Sequence, residues 1–223
     1  MAELDESGTR LTIKLVYYGP AQSGKTTNLT YFHDHLSPEL KGEMMALETK
    51  GDRTLFFDLL PMGMKCPSGL LIKLKLFTVP GQVAHDSTRK AVLSRADGVV
   101  FVADSQRNQS MNNLESFENL AANIGRVGLD MDTLPIAIQF NKRDLPADAI
   151  VSEEEVLSRW SKMPWPVTFA SALKGYGVSE TFAKLLASVY TRVDGFFDLT
   201  TEHGITAEAF IHNFSGATEQ EQV

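Results

Sequence analysis

The chain has 223 residues, 43% hydrophobic and 22% charged, enough to bury a sizeable core in one domain with an appendage. Its 21 basic against 28 acidic residues leave a net charge of −7, which argues against a nucleic-acid binder. A lone cysteine, Cys66, excludes an internal disulfide and fits a reducing cytosol; the acidic N-terminus is unlike a signal peptide, and no apolar run approaches the ~18 residues of a membrane helix, so a cytoplasmic protein without direct membrane insertion is expected.

Residues 1–10 are expected to form a flexible N-terminus, and 11–18 alternate well enough for a strand. Gly-Pro-Ala-Gln-Ser-Gly-Lys-Thr at 19–26 follows, and Thr27 opens a helical stretch reaching residue 36. Residues 41–52 show no period and contain Gly42 and Gly51, which suits a mobile loop. Two strands, 55–60 and 71–77, are separated by Pro61, Gly63, Pro67 and Gly69 and read as an antiparallel hairpin with one solvated face. The short apolar runs 98–103, 135–140 and 166–170 are the central parallel strands. Between them, Leu114, Phe117, Leu120, Ala121 and Ile124 mark a helical face over 110–123. Ser152 offers a capping box to a second helix, and Ser179 caps a third that presents Phe182, Leu185, Leu186 and Val189. Strand alternating with helix predicts right-handed crossovers and an open α/β sheet.

The 19–26 stretch fits the phosphate-loop pattern of Gly, four residues, Gly-Lys and Ser or Thr, between the strand and helix that the pattern demands. Gly19 and Gly24 let the backbone curl so that the N–H groups of Ala21, Gln22, Ser23 and their neighbours converge on phosphates, and the helix beginning near Thr27 aims its positive end there. Lys25 brings an ammonium to the outer phosphates, and Thr26 offers a hydroxyl to magnesium. Asn141-Lys-Arg-Asp follows a strand directly, at the sheet edge where ligands of such folds bind. Asp144 can accept from N1–H and the exocyclic amine of guanine, whereas adenine leaves it unpaired. Asn141 can bond the other edge of the purine, the Lys142 stem can lie along its face, and Ser171 and Ala172 form a third wall, with the Ala172 N–H offered to the guanine oxygen. Asp104 reads as a helix-side cap, and His85 and Arg89 as surface residues.

These segments occur in the order found in small GTP-binding proteins, and the chain resembles a bacterial Ras-like GTPase of the gliding-motility MglA family. Val-Tyr-Tyr-Gly-Pro at 16–20, Asp-Arg-Thr-Leu-Phe-Phe-Asp at 52–58, Thr-Val-Pro-Gly-Gln at 78–82, Val-Val-Phe-Val-Ala-Asp-Ser at 99–105 and Asn-Lys-Arg-Asp-Leu-Pro at 141–146 carry the resemblance, which spans roughly residues 11–193. It implies a P-loop GTPase fold: α/β, with a mostly parallel six-stranded sheet, helices on both faces and a C-terminal extension over 194–223. It implies GTP or GDP with Mg2+ as ligands, and a polarity or motility switch activated by a roadblock-fold, MglB-like dimer, acting on downstream effectors and recruited to a cell pole by partners. Thr54 is then a magnesium ligand and sensor of the third phosphate, Arg53 an arginine finger supplied in cis, Gly81 a backbone donor to the third phosphate, and Gln82 the residue that orients water. Ras-like proteins generally carry aspartate where this chain has Thr78, and Asp58 or Asp52 is the substitute within the chain. Ala21 occupies a position that is commonly glycine, and its methyl narrows the space where glutamine and arginine meet.

Residues 194–223 carry Phe196, Phe197, Leu199, Ile205, Phe210, Ile211 and Phe214, too apolar for a simple disordered tail. A short helix over 206–213 either docks on the parent domain or binds a partner, with disorder expected from Ser215. Three functional classes stay open from the residues: a hydrolysing GTPase switch, a GTP-binding scaffold with negligible turnover, and an ATP-dependent enzyme sharing the phosphate loop. Asp144 weighs against the last.

Overall fold

The computed structural model describes residues 2–48, 56–81 and 86–216. Arg53, Thr54, Gln82 and His85 lie outside the described residues, as do Asp52 and 217–223. The strands are β1 (Glu3–Leu4), β2 (Arg10–Tyr18), β3 (Met45–Glu48), β4 (Phe56–Lys65), β5 (Leu71–Thr78), β6 (Gly98–Asp104), β7 (Ile136–Asn141) and β8 (Val167–Phe169). The helices are α1 (Lys25–His35), α2 (Asp86–Leu93), α3 (Ser110–Arg126), α4 (Glu153–Trp160), α5 (Val178–Phe197) and α6 (Ala207–Ser215).

Among the described residues one sheet runs β3-β4-β5-β2-β6-β7-β8, with β1 paired to the start of β2. Strands β5, β2, β6, β7 and β8 are parallel, while β4 runs antiparallel to β5. These six match the expected sheet, and two more correct its count to eight. Within residues 1–10, expected to be flexible, Glu3 pairs with Thr12 and Leu4 with Leu11. Within the expected mobile loop, Met45 pairs with Leu59 and Glu48 with Phe56, so β3 covers the outer edge of β4.

Strand β4 also continues past Pro61, where the sequence suggested a turn. The Gly63 N–H donates outward to the Leu40 carbonyl at 2.7 Å. Pro61, two residues earlier, has the same orientation, so its missing N–H falls on the edge side and leaves the ladder to β5 intact.

Two apolar layers cover the sheet. On one side, alternate β5 residues Ile72, Leu74 and Leu76 pack in a cluster with Leu29 and Phe32 of α1 and Phe182, Leu186 and Val189 of α5. On the other, Val99 and Phe101 of β6 pack with Leu93 of α2 and with Leu120 and Ile124 of α3. Leu114, expected on the buried face of α3, is 49% exposed. The capping box at Ser152 forms, with Glu155 completing it. Ser179 does not cap α5: the helix begins one residue earlier, behind Gly177, and Ser179 is buried near the Tyr31 hydroxyl.

The tail returns to the core. Thr206 caps α6 through the Ala209 N–H, and Phe210 and Phe214 are fully buried beside Leu199, Ile205 and Val193. Tyr190 reaches across from α5, its hydroxyl donating to the Ile205 carbonyl at 2.7 Å. Ser215, expected to be disordered, is the buried last residue of α6.

Candidate guanine-nucleotide site

Strand β2 ends at Tyr18 and α1 starts at Lys25, so the six residues between them must turn the chain back over the sheet edge. Gly24 stands at the N-terminus of α1 with φ of 101°, and a Cβ there would lie 2.1 Å from the Asn141 amide nitrogen. Only glycine meets both conditions. Lys25 is buried, and its ammonium donates to the Gly19 and Pro20 carbonyls at 3.0 and 2.6 Å. Burial, reinforced by the positive charge of Arg89 and opposed by Asp58, lowers its pKa to about 7.

Around Thr26 the structure gathers oxygen atoms. The Thr26 hydroxyl donates to the Asp58 carboxylate at 2.6 Å, and the Thr78 hydroxyl donates to the same oxygen, Oδ2, at 3.0 Å. The Asp58 N–H in turn donates to the Thr78 hydroxyl at 2.8 Å, so the last residue of β5 orients the carboxylate of β4. Thr78 occupies the position where Ras-like chains generally carry aspartate, and Asp58 brings a carboxylate to the same neighbourhood from the adjacent strand. Two hydroxyls and a carboxylate are hard oxygen donors of the kind magnesium takes, and three donors leave room for waters and phosphate oxygens. The donor set fits the ion.

Gly81 lies directly on the phosphate loop: a Cβ built on it would sit 2.2 Å from Ala21 Cα and 2.9 Å from the Ala21 methyl. The Ala21 methyl therefore fills space at the contact between loop and β5–α2 connection, and only glycine at 81 permits that approach.

The base end is assembled by Asn141. Its amide nitrogen donates to the Ser23 carbonyl, and its amide oxygen accepts the Ala172 N–H, both at 2.8 Å. Asn141 thus ties the phosphate loop to the 170–172 segment, and the Ala172 N–H, expected to reach a guanine oxygen, is bonded to Asn141 here. Ser171 is buried and its hydroxyl donates to the exposed Asp144 carboxylate. Lys142 adopts φ of 70° and pairs with buried Asp104 at 2.6 Å, fixing its ammonium beyond the end of β6. Asp104 accepts from the Gln106 N–H and side chain and from Lys142; it caps no helix, correcting the expectation. A cleft of about 500 Å³ next to Ala172 is lined by Thr27, Tyr31, Leu173 and Lys174.

Arg89 is the main departure from the sequence reading. Expected at the surface, it is fully buried and bonds three segments of the site. The signal was available: Arg89, Val92 and Leu93 stand at i, i+3 and i+4, which puts the arginine on the inward face of α2.

A phosphate loop between β2 and α1, a shared oxygen cluster beneath it and an Asn-Lys-x-Asp edge at the end of β7 define a nucleoside-triphosphate switch of the small G-domain class. The chain belongs to the Ras family, which its residues 14–191 match. It is 42% identical over 193 residues to "Mutual gliding-motility protein MglA" of Myxococcus xanthus (strain DK1622), covering 86% of this chain and 98% of that protein. "Ras-related protein rab-39" and "ADP-ribosylation factor-like protein 6", both of Caenorhabditis elegans, are each 25% identical, over 81% and 79% of this chain and 74% and 86% of their own lengths. The protein is a Ras-family GTPase that binds guanine nucleotide and hydrolyses GTP. No helix among the described residues is long and apolar enough to cross a membrane.

Proposed function

We propose that the protein is a magnesium-dependent GTPase switch for cell polarity or motility, turned over by a roadblock-fold dimer that binds its GTP state. The observation that carries the magnesium part is the Thr26–Asp58–Thr78 cluster, which restores a carboxylate near the metal position from a neighbouring strand. The motility part rests on 42% identity to the Myxococcus protein, and recruitment to a cell pole by partners goes with it.

In this reading Lys25 and the N-terminus of α1 hold the outer phosphates, and Thr26 and Thr54 hold the ion. Magnesium, when bound, neutralises charge on the outer phosphate oxygens. Gly81 donates its N–H to the third phosphate, Gln82 orients the attacking water, and Arg53 balances the charge that builds as the bond from the terminal phosphorus to the bridging oxygen breaks. Water is consumed, and GDP and phosphate leave. Asp144, held by Ser171, reads guanine against adenine.

The partner need bring no catalytic side chain, because Arg53 and Gln82 are both in the chain. Its contribution is to shift the hairpin strand expected at 55–60, which falls in β4, so that both residues meet at the third phosphate. Phosphate release with and without the roadblock protein tests this: stimulation should collapse in Arg53→Ala and in Gln82→Leu with GTP affinity little changed. Stimulation that survives Arg53→Ala but disappears when a partner arginine is replaced overturns the cis arrangement.

A further inference from the structure

In β2, β4 and β5 every second residue packs in the cluster with α1 and α5, so Arg10, Lys14, Lys65, Lys73 and Lys75 share the opposite face of the sheet. Register sets their neighbours. Lys14 lies directly beside Lys75, Thr12 beside Lys73, and Arg10 beside Leu71. On the other flank of β5, Pro61, Gly63 and Lys65 of β4 stand beside Lys75, Lys73 and Leu71, so β4 adds a cation to the face and no carboxylate. Glu3 shares the face through its pairing with Thr12, and its carboxylate lies 3.6 Å from Arg95. Among the described residues, Lys65, Lys73 and Lys75 have no ion-pair partner.

Like charges directly opposite one another destabilise a sheet, and Lys14 shows the strain electrostatically. Burial lowers its pKa, Asp97 opposes the shift, and the charges of Lys75 and Arg95 add to it. Its ammonium donates to the Ser94 carbonyl at 2.9 Å and lies 5.0 Å from the centre of the Phe77 ring. Strands β2 and β5 are also a parallel pair, a kind of sheet ordinarily covered on both faces. Toward the phosphate loop α2 supplies that cover, with Val92 and Leu93 packed in one cluster with Val16 and Phe77. The helix ends at Leu93, and beyond it Lys14 and Lys73 are half-buried and Lys75 is exposed.

We propose that this basic sheet face is a docking surface for an acidic, amphipathic polypeptide segment of a partner protein, whose carboxylates meet Lys14, Lys73 and Lys75 and whose apolar side chains meet Leu71 and Pro61. Charge complementarity selects the occupant. The cations occupy an area about 13 Å long and about 10 Å wide, and half-buried Leu71 and Pro61 stand among them. A bilayer or a nucleic-acid duplex spreads its charge over a far larger surface and meets, beyond this patch, a chain of net charge −7. A short polypeptide fits inside the patch and uses both its charge and its apolar contacts. The face is separate from the nucleotide site, and its occupation is independent of the switch reading above.

The test uses the full chain with GDP bound. A short fluorescein-labelled peptide of alternating glutamate and leucine is titrated at low and at physiological salt, beside its glutamate–serine counterpart, a short DNA duplex and phosphatidylserine vesicles. The glutamate–leucine peptide should bind most tightly. Its affinity should fall roughly tenfold or more in Lys73→Glu/Lys75→Glu and at least threefold in Lys73→Gln/Lys75→Gln, while single-turnover GTP hydrolysis stays within about twofold of the parent. Lys75→Gln removes a like-charge pair, so its thermal midpoint should rise by about 1–3 °C. Tighter binding of the duplex or the vesicles overturns the polypeptide occupant, and equal binding of the glutamate–serine peptide overturns the apolar contacts. No binding of the glutamate–leucine peptide to the parent, or less than about twofold loss in the variants, overturns the docking surface. A lowered midpoint in Lys75→Gln does so too, because it makes the lysine a structural support. If the glutamate variant does not fold, the glutamine variant decides by the same limits.

Discussion

The two ends of the nucleotide site are built on opposite principles. At the phosphate end, two buried cations, Lys25 and Arg89, converge on one carbonyl, that of Gly19, and Arg89 helps to lower the pKa of Lys25. At the base end, neutral amides and hydroxyls hold the frame: Asn141 bridges Ser23 and Ala172, and buried Ser171 holds the exposed Asp144 carboxylate. The phosphate end is positively loaded, so an anion improves it; the base end is closed by its own hydrogen bonds, so a ligand there is selected more than attracted. Affinity should therefore depend on the first, and identity on the second.

The largest expected effect comes from removing charge at the phosphate end. Lys25→Ala deletes charge-assisted bonds worth roughly 1.5–3 kcal/mol each, so loss of two should weaken GDP binding by about two orders of magnitude or more, measured by equilibrium displacement of a fluorescent GDP. Specificity for guanine should suffer little by comparison. If GDP binding changes less than about threefold, the division of labour fails.

Asp144→Ala is the converse experiment. Loss of one charged recognition contact of about 1.5–3 kcal/mol should erode the GTP-over-ATP preference by roughly ten- to a hundredfold, read by competition between the two nucleotides. The variant should retain phosphate binding, which inorganic triphosphate can report. An unchanged preference would remove Asp144 from base recognition.

The comparison is sharpened by a smaller, pH-dependent effect. The protein surroundings lower Lys25 to about 7 from an ordinary 10.5, whereas neighbouring phosphates favour its charged form. Nucleotide binding should then take up a proton at pH values between about 7 and 10, and affinity should fall as pH rises through that window. The sign for folding is opposite: a lysine with a depressed folded pKa binds fewer protons folded than unfolded, so its contribution to stability grows with pH across the same window. Calorimetry of GDP binding at pH 8 in EDTA, in two buffers of different ionisation enthalpy, reads the uptake directly. Uptake undiminished in Lys25→Met would assign the proton elsewhere.

The phosphate loop, the central strands and the base-end segments were legible because each is a local pattern: spacing of Gly and Lys, apolar runs, Asn-Lys-x-Asp at a strand end. What was not legible lay in contacts between strands and helices distant in sequence. Asp58 is 20 residues from Thr78 and 32 from Thr26, so the sequence could offer it only as one of two substitutes; the pairing of β4 with β5 brings it to the Thr78 hydroxyl, and the packing of α1 over the sheet brings Thr26. Arg89 reads as a surface residue because an arginine is ordinarily there, although its spacing with Val92 and Leu93 points inward. Strand β3 escaped because Met-Ala-Leu-Glu has no alternation; its place is determined by the open edge of β4. Pro61 reads in the sequence as a turn signal, and the edge position that makes it harmless is a property of the sheet, not of its neighbours in the chain.

The docking of α6 has a practical side for anyone who wishes to follow this protein in cells. Phe210 and Phe214 sit in the main core, although they lie in the last helix of the described residues. Trimming the gene before α6 would strip two phenylalanine side chains from that core, each worth roughly 3–5 kcal/mol, and leave apolar surface on α5 ready to aggregate. A fluorescent tag joined after residue 216, where Gly216 ends the helix in a left-handed turn, keeps those contacts whole.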